Sequence, residues 1–238
     1  MTHLPTSAGL PTRTGHGVRL VLFDVNETLS DLGALGPRFT DVGVSPHLGP
    51  TWFAGVLRDG FALTVNGVRP QFSDVAAGVL TGLLHGRVDD VDTAVEHVMA
   101  GFTELPVHPD VVEGIGLLRQ LQLQLVTLSN GSTSVARALF ERAGISESFD
   151  ALLSVDDAPL WKPAAAAYES ALAATGCLAE DAMLVAVHPW DVHGAHEAGL
   201  STAWVNRSGA PYPSHFAAPD LQATSLVDLA AQLGAVGA

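Results

Sequence analysis

The chain has 238 residues, 47% of them apolar, and a formal charge of −14 from 25 acidic and 11 basic residues. That length holds a large core, as one domain or a domain with an insertion, and the apolar content excludes an intrinsically disordered chain. The acidity argues against nucleic acid or an anionic membrane surface as the main partner, while one local Arg or Lys still suffices to hold a small carboxylate.

Residues 1–16 contain Thr, Gly, Pro, His and Arg but no apolar h-region, so they read as a flexible tail and not as a secretory signal. No apolar stretch is long enough to span a bilayer. The single cysteine, Cys177, rules out an intramolecular disulfide and suits a reducing compartment, so a cytoplasmic location is expected.

The first apolar run, residues 18–23, predicts a buried strand that ends at Asp24. Further strand-length runs lie at 123–128, 151–154, 183–187 and 202–205. Most are β-branched or Leu-rich on both faces, as when helices cover both sides of a sheet. Between them the spacing predicts helices over 110–120, 132–143, 163–175 and 191–198. Ser132 and Thr133 are suited to cap one start, and Gly144, Gly176 and Gly199 to end the last three. Ser208 to Pro219 reads as a loop, and Leu226 to Leu233 as a short terminal helix. Strands alternating with helices predict an α/β fold with a doubly wound, Rossmann-like parallel sheet.

Residues 30–105 break this alternation. They carry Phe39, Trp52, Phe53, Phe61, Phe72 and Phe102 among helical patterns and hold no clear parallel strand. They read as a mainly helical cap, residues 31–105, inserted into a core of 17–30 and 106–238. Gly33 to Pro50 is expected to be the outgoing hinge, and Glu104 to Pro109 the return. The apolar content of the cap leaves two readings open, a homodimer surface or a surface that closes over a site.

Carboxyl ends of adjacent parallel strands converge in space, and open α/β sheets bind ligands there. Asp24 follows the first strand, Ser129-Asn130-Gly131 the second, Lys162 lies beyond the third, and His188-Pro189-Trp190-Asp191 follows the fourth. Each has an ordinary reading alone: Asp24 in an Asx turn, Thr28 or Asp191 as a helix cap, Ser129-Asn130-Gly131 as a turn, Lys162 as a solvated lysine, His188 as a loop histidine. Their joint occurrence at successive strand ends gives a coherent site. Asp24 is then a nucleophile, Lys162 its countercharge, Ser129 and Asn130 donors to an anionic substrate, and Asp191 an anchor for Lys162 or a group that orients water.

Four segments carry a resemblance: LFDVNETL (22–29), LVTLSNGS (125–132), WKPAAAAYESAL (161–172) and MLVAVHPWDVHGAHEAGLSTAWVNR (183–207). In order and spacing they are similar to the haloacid dehalogenase superfamily, and within it to the L-2-haloacid dehalogenase branch. The phosphatases of that superfamily carry a second Asp where this chain has Asn26, and a further acidic Mg²⁺ ligand where it has Val187. An amide cannot shuttle a proton, and Mg²⁺ prefers hard oxygen ligands. A halide leaves without protonation, so the resemblance implies a metal- and cofactor-free enzyme that takes a small carboxylic acid. It implies Asp24 as the nucleophile that forms an ester, supported by Thr28 and paired with Lys162. It also implies Tyr168 on the following helix, Ser129 and Asn130 at the substrate carboxylate, and Asp191 as the acid that helps activate water. Trp190 and Asn206-Arg207 fit the same pattern.

Three positions depart from it. The branch has a Ser and an Asn where this chain has Ala186 and His188. It also brings an arginine from the cap, and that place falls on or near Phe53, with Arg58 about one and a half turns later as a substitute. His188 is then a candidate general base or a donor to a substrate anion or leaving group. Losing the cap arginine directs attention to a small leaving group such as fluoride, or to another electrophilic α-carbon such as that of a strained-ring amino acid. An Mg²⁺-dependent phosphatase and a small-carboxylate binding protein with little turnover are the competing readings.

Overall fold

The computed structural model describes residues 17–236; the tail expected at 1–16 lies outside them. Six parallel strands, β1 (Leu20–Phe23), β2 (Gln124–Ser129), β3 (Ala151–Ser154), β4 (Ala182–Ala186), β5 (Ser201–Val205) and β6 (Leu221–Ala223), form one sheet in the order β3-β2-β1-β4-β5-β6. The order reverses between β1 and β4, which opens a crevice outside their carboxyl ends. Phe23 lies opposite Thr127 of β2 and Val185 of β4, so Asp24 emerges at that crevice.

Successive side chains of a strand point to opposite faces. Leu20 and Leu22 pack with Val126, Leu128, Leu184 and Ala186 on one face, whereas Val21 and Phe23 pack with Leu125, Met183, Val185 and Val205 on the other. The first face is covered by α7 (Ala165–Thr175) and α8 (Pro189–Glu197), the second by α5 (Val111–Gln120), α6 (Thr133–Ala143) and α9 (Leu226–Val236). Burial on both faces is why these strands read as continuous apolar runs. The helix ends follow local chemistry: Ser132 Oγ accepts the Val135 N–H at 3.4 Å, and Gly144 and Gly176 adopt left-handed φ of 70° and 66°.

Four helices, α1 (Gly36–Asp41), α2 (Leu48–Val65), α3 (Phe72–Leu84) and α4 (Val91–Thr103), are inserted between β1 and α5. They form the mainly helical cap, and their apolar faces continue the core through Phe39, Trp52, Phe53, Phe72 and Phe102. The outgoing and returning chains meet in an antiparallel bridge between Ser30 and Val107. At Gly60 of α2 a Cβ would stand 2.1 Å from the Trp161 ring, so only glycine lets the cap lie this close to the β3–α7 loop.

One expectation is corrected. The stretch from Gly33 to Pro50 is mostly helical, with a 3₁₀ turn over Leu32–Leu35 followed by α1, and α2 starts at Leu48. Asp31 Oδ1 caps that turn by accepting the Gly33 N–H at 2.9 Å, and Pro37 and Pro50 lie in first helical turns, where a missing N–H costs nothing. The stretch from Ser208 to Pro219 is irregular, as expected, and beyond it lies an unpredicted strand, β6, which extends the sheet past β5. Among the described residues no helix is long and apolar enough to cross a membrane.

Candidate active site

The turn after β1 carries Asp24, Asn26, Glu27 and Thr28. It is closed by the Leu29 N–H on the Val25 carbonyl at 2.9 Å. Thr28 Oγ1 donates to Asp24 Oδ2 at 2.6 Å and accepts the Val187 N–H at 3.1 Å, which ties the turn to the end of β4. From below, Arg207 Nη2 donates to the Thr28 carbonyl at 2.9 Å while Nη1 pairs with Asp110 at 2.7 Å.

Lys162 is fully buried, and its Nζ donates to Asp24 Oδ1 at 2.9 Å and to Asp191 Oδ2 at 2.6 Å. The other Asp191 oxygen accepts the Tyr168 hydroxyl at 2.6 Å. Asn130 fixes the backbone beneath this ammonium: its Oδ1 accepts the Lys162 N–H at 2.9 Å and its Nδ2 donates to the Lys162 carbonyl at 3.1 Å. Ser129 Oγ accepts the Gly131 N–H at 2.9 Å, which leaves its own proton for a ligand. Asn26 packs against the same loop, its Nδ2 being 3.5 Å from where a Cβ on Gly131 would stand.

Burial works against the charge on Lys162, but the attraction of Asp191 and Asp24 outweighs it and raises its pKa. Burial, reinforced by the negative charge of Asp24, raises the Asp191 carboxyl against the pull of Lys162. Burial and the adjacent Asp191 charge push the Tyr168 phenol well up, so it remains a proton donor in this network. Leaving one charge of such a set unpaired costs about 3–5 kcal/mol, so the trio is held together or not at all.

His188 stands at the end of β4 with its Nε2 3.8 Å from Asp24 Oδ2 and 3.5 Å from Glu27 Oε2. Its ring lies between Phe53, at 6.1 Å between centroids, and Trp190, at 5.0 Å. Glu27 has a left-handed φ of 62°, and burial raises its carboxyl, opposed by His188 and aided by Asp24.

The donor set does not fit Mg²⁺. Near Asp24 the amide Asn26 offers no charge and Val187 carries no side-chain oxygen, while Lys162 already takes one oxygen of Asp24 and one of Asp191. Among the described residues no cluster of three or more His, Cys, Asp and Glu is arranged to hold a metal.

The haloacid dehalogenase-like hydrolase family model matches residues 18–199, from β1 to the end of α8. The chain belongs to the haloacid dehalogenase-like hydrolases. This haloacid dehalogenase-like hydrolase is 28% identical over 206 residues to haloacetate dehalogenase H-2 of Moraxella sp. (strain B), covering 85% of this chain and 92% of that one. It is 27% identical over 215 residues to (S)-2-haloacid dehalogenase 4A of Burkholderia cepacia, covering 89% and 93%. A crystal structure of a dehalogenase with an intermediate complex superposes with a TM-score of 0.85 at 27% identity, covering 91% of this chain and 97% of that one. That of a defluorinating L-2-haloacid dehalogenase superposes at 0.80 with 26% identity, covering 96% and 100%.

In this haloacid dehalogenase-like hydrolase, Asp24, Thr28, Lys162, Tyr168, Asp191 and His188 come together, with Asn26, Ser129 and Asn130 at their edge and Trp190 behind His188. Arg58 does not join them: its side chain is 73% exposed and pairs with Asp59 at 2.8 Å. Five residues beyond Phe53 on a helix is about 140° around its axis, so Phe53 faces the site and Arg58 faces solvent. The position expected for a cap arginine is filled by the Phe53 ring. Sequence reasoning missed Glu27. The only signal for it was an acid placed in a tight turn beside Asn26.

Proposed function

We propose that this protein is a metal-independent hydrolase that displaces a leaving group, normally halide, from the α-carbon of a small 2-substituted carboxylic acid through an aspartyl ester at Asp24. One observation carries the reading: Asp24 is held by Lys162 and Thr28, and no second acid stands two residues on to protonate a leaving group. A carboxylate so fixed is aimed for displacement at carbon. The names of the similar proteins support the same class of substrate.

In this scheme an Asp24 oxygen forms a bond to the α-carbon as the carbon–halide bond breaks with inversion, and the halide leaves with the bonding pair. Lys162 and Thr28 keep the carboxylate in line. The Ser129 hydroxyl and the β2–α6 loop receive the substrate carboxylate. Asn130 and Asp191 act through Lys162, one on its backbone and the other on its ammonium. Phe53, His188 and Trp190 form the wall on which the substrate's remaining surface rests. The core (17–30 and 106–238) supplies the chemistry and the cap (31–105) closes it from water. The lone Cys177 supports a cytoplasmic setting, and light scattering distinguishes a monomer from a homodimer.

The test is halide release from fluoro-, chloro- and bromo-carboxylic acids in the presence of a chelator, with Asp24→Asn as control. Release by the parent protein and none by the variant is expected. Mg²⁺-dependent hydrolysis of a phosphate ester, or carboxylate binding with no turnover on any acid of the panel, would overturn the reading.

A further inference from the structure

The ester needs a base to direct water at it, and the two oxygens of Asp191 are already committed to Lys162 and Tyr168, with no exposed surface on that residue. We infer that His188 is the general base that activates water on the Asp24 ester, with Glu27 as its positioning residue. This rests on the reading of Asp24 as an ester-forming nucleophile.

Three further observations carry it. His188 Nε2 lies 3.8 Å from Asp24 Oδ2, too far for a direct hydrogen bond but within the span one water bridges. Its ring is clamped between Phe53 and Trp190, so the nitrogen cannot swing away. A cavity of about 310 Å³ opens against His188 and Glu27, lined also by His108, Asn206 and Ser208. Water entering it would meet the imidazole and not Lys162 or Asp191, which are fully buried and do not line it.

Glu27 is placed for this task at a conformational cost. A non-glycine residue at φ 62° is uncommon, and such strain persists where surrounding structure enforces it. Here the enforcement is visible: the Glu27 N–H donates to Ser30 Oγ at 3.3 Å, and its carbonyl lies 2.9 Å from His108 Nε2. The Glu27 carboxylate is thereby turned to within 3.5 Å of His188. Both charged groups facing Nε2, Asp24 and Glu27, are acids, and the rings of Phe53 and Trp190 fill its flanks. Positive charge that develops as the imidazole takes a proton is therefore met by negative charge.

The step balances as follows. A water oxygen bonds to Asp24 Cγ as His188 Nε2 takes one of its protons, and the carbonyl pair moves onto oxygen. The tetrahedral centre collapses, the bond from Cγ to the substrate-bearing oxygen breaks, and that oxygen takes the proton back from His188. The products are the 2-hydroxy acid and the Asp24 carboxyl, which loses its proton to solvent.

The test is intact-protein mass spectrometry after mixing with (S)-2-bromopropionate, alongside bromide release. His188→Gln should release one equivalent of bromide rapidly, hold the added mass on Asp24, and turn over about 10²–10⁴-fold more slowly than the parent. In His188→Ala, added imidazole should shorten the ester's lifetime. Glu27→Gln should slow ester breakdown while leaving the first bromide burst near the parent rate, a split that a merely structural role would not produce. Unchanged turnover without ester in both His188 variants would overturn the inference and leave the aspartyl-ester reading intact. So would loss of the bromide burst in folded protein. No halide release by the parent protein from any fluoro-, chloro- or bromo-carboxylic acid would overturn both.

Discussion

Asn130 grips the peptide backbone of Lys162 from both sides, accepting its N–H at 2.9 Å and donating to its carbonyl at 3.1 Å. The ammonium that pairs with Asp24 is therefore aimed by a residue 32 positions earlier in the chain. Asn130→Ala removes both bonds from buried groups and should cost about 1–3 kcal/mol per unsatisfied group. A displaced ammonium should also lower kcat by about 10²-fold. Chemical denaturation and halide-release kinetics check the two parts separately.

Arg58 provides the opposite expectation. It is exposed and bonded only to its neighbour Asp59, so Arg58→Ala should leave kcat/KM at the parent value and stability within about 0.5 kcal/mol. A substantial loss of halide release would return a cationic role to this helix.

The pairing of Tyr168 with Asp191 depends on a close approach at Gly194. A Cβ there would stand 2.6 Å from Pro163 Cβ, 2.7 Å from the Tyr168 hydroxyl and 2.9 Å from the Pro163 carbonyl. Gly194→Ala should cost about 1–3 kcal/mol through overpacking and loosen the bond between Tyr168 and Asp191. Thermal unfolding measures the first effect, and a loss of kcat greater than that of KM would report the second.

Asp110 links three elements, since it pairs with Arg207 at 2.7 Å and accepts the Leu226 N–H at 2.7 Å, while Arg207 holds the Thr28 carbonyl. Burial pushes its carboxyl up, but the bonds from Arg207 and Leu226 outweigh burial and hold it below the ordinary carboxylate value. A depressed folded pKa contributes stability above the unfolded value, and that contribution is lost as pH falls through the folded one. Asp110→Asn should therefore be less stable than the parent near neutrality by about 1.5–3 kcal/mol, and the gap should close on acidification below the ordinary carboxylate range. Urea denaturation across that range checks it. A gap that does not change with pH would contradict the assignment.

Legibility in the sequence followed the range of the interactions. Asp24, Ser129 and His188 were readable because each follows an apolar run of strand length and parallel strand ends converge, whereas Lys162 lies well beyond the half-buried β3 and was tied to them only by the order of the segments. The helices with capping residues, such as Ser132 to Gly144, were readable for the same local reason. β6 was not, because three residues with an exposed Gln222 carry no periodicity. The 3₁₀ turn and α1 were hidden because Pro and Gly in a first helical turn look like breakers. Glu27 acquires its place from a left-handed backbone, which leaves no mark on local pattern, and Arg207 was marked only by the resemblance because its partners lie 97 and 179 residues away. Phe53 and Arg58 show the cost of ignoring helix phase by half a turn.

Whether Asp24 forms a covalent ester with its substrate is decided by a single-turnover reaction in heavy-oxygen water. With enzyme in excess over a 2-halo acid, ¹⁸O should enter the Asp24 carboxylate and the first hydroxy acid should be unlabelled. Labelled hydroxy acid together with an unlabelled Asp24 peptide would mean that water attacks the α-carbon directly, and would rule out the ester.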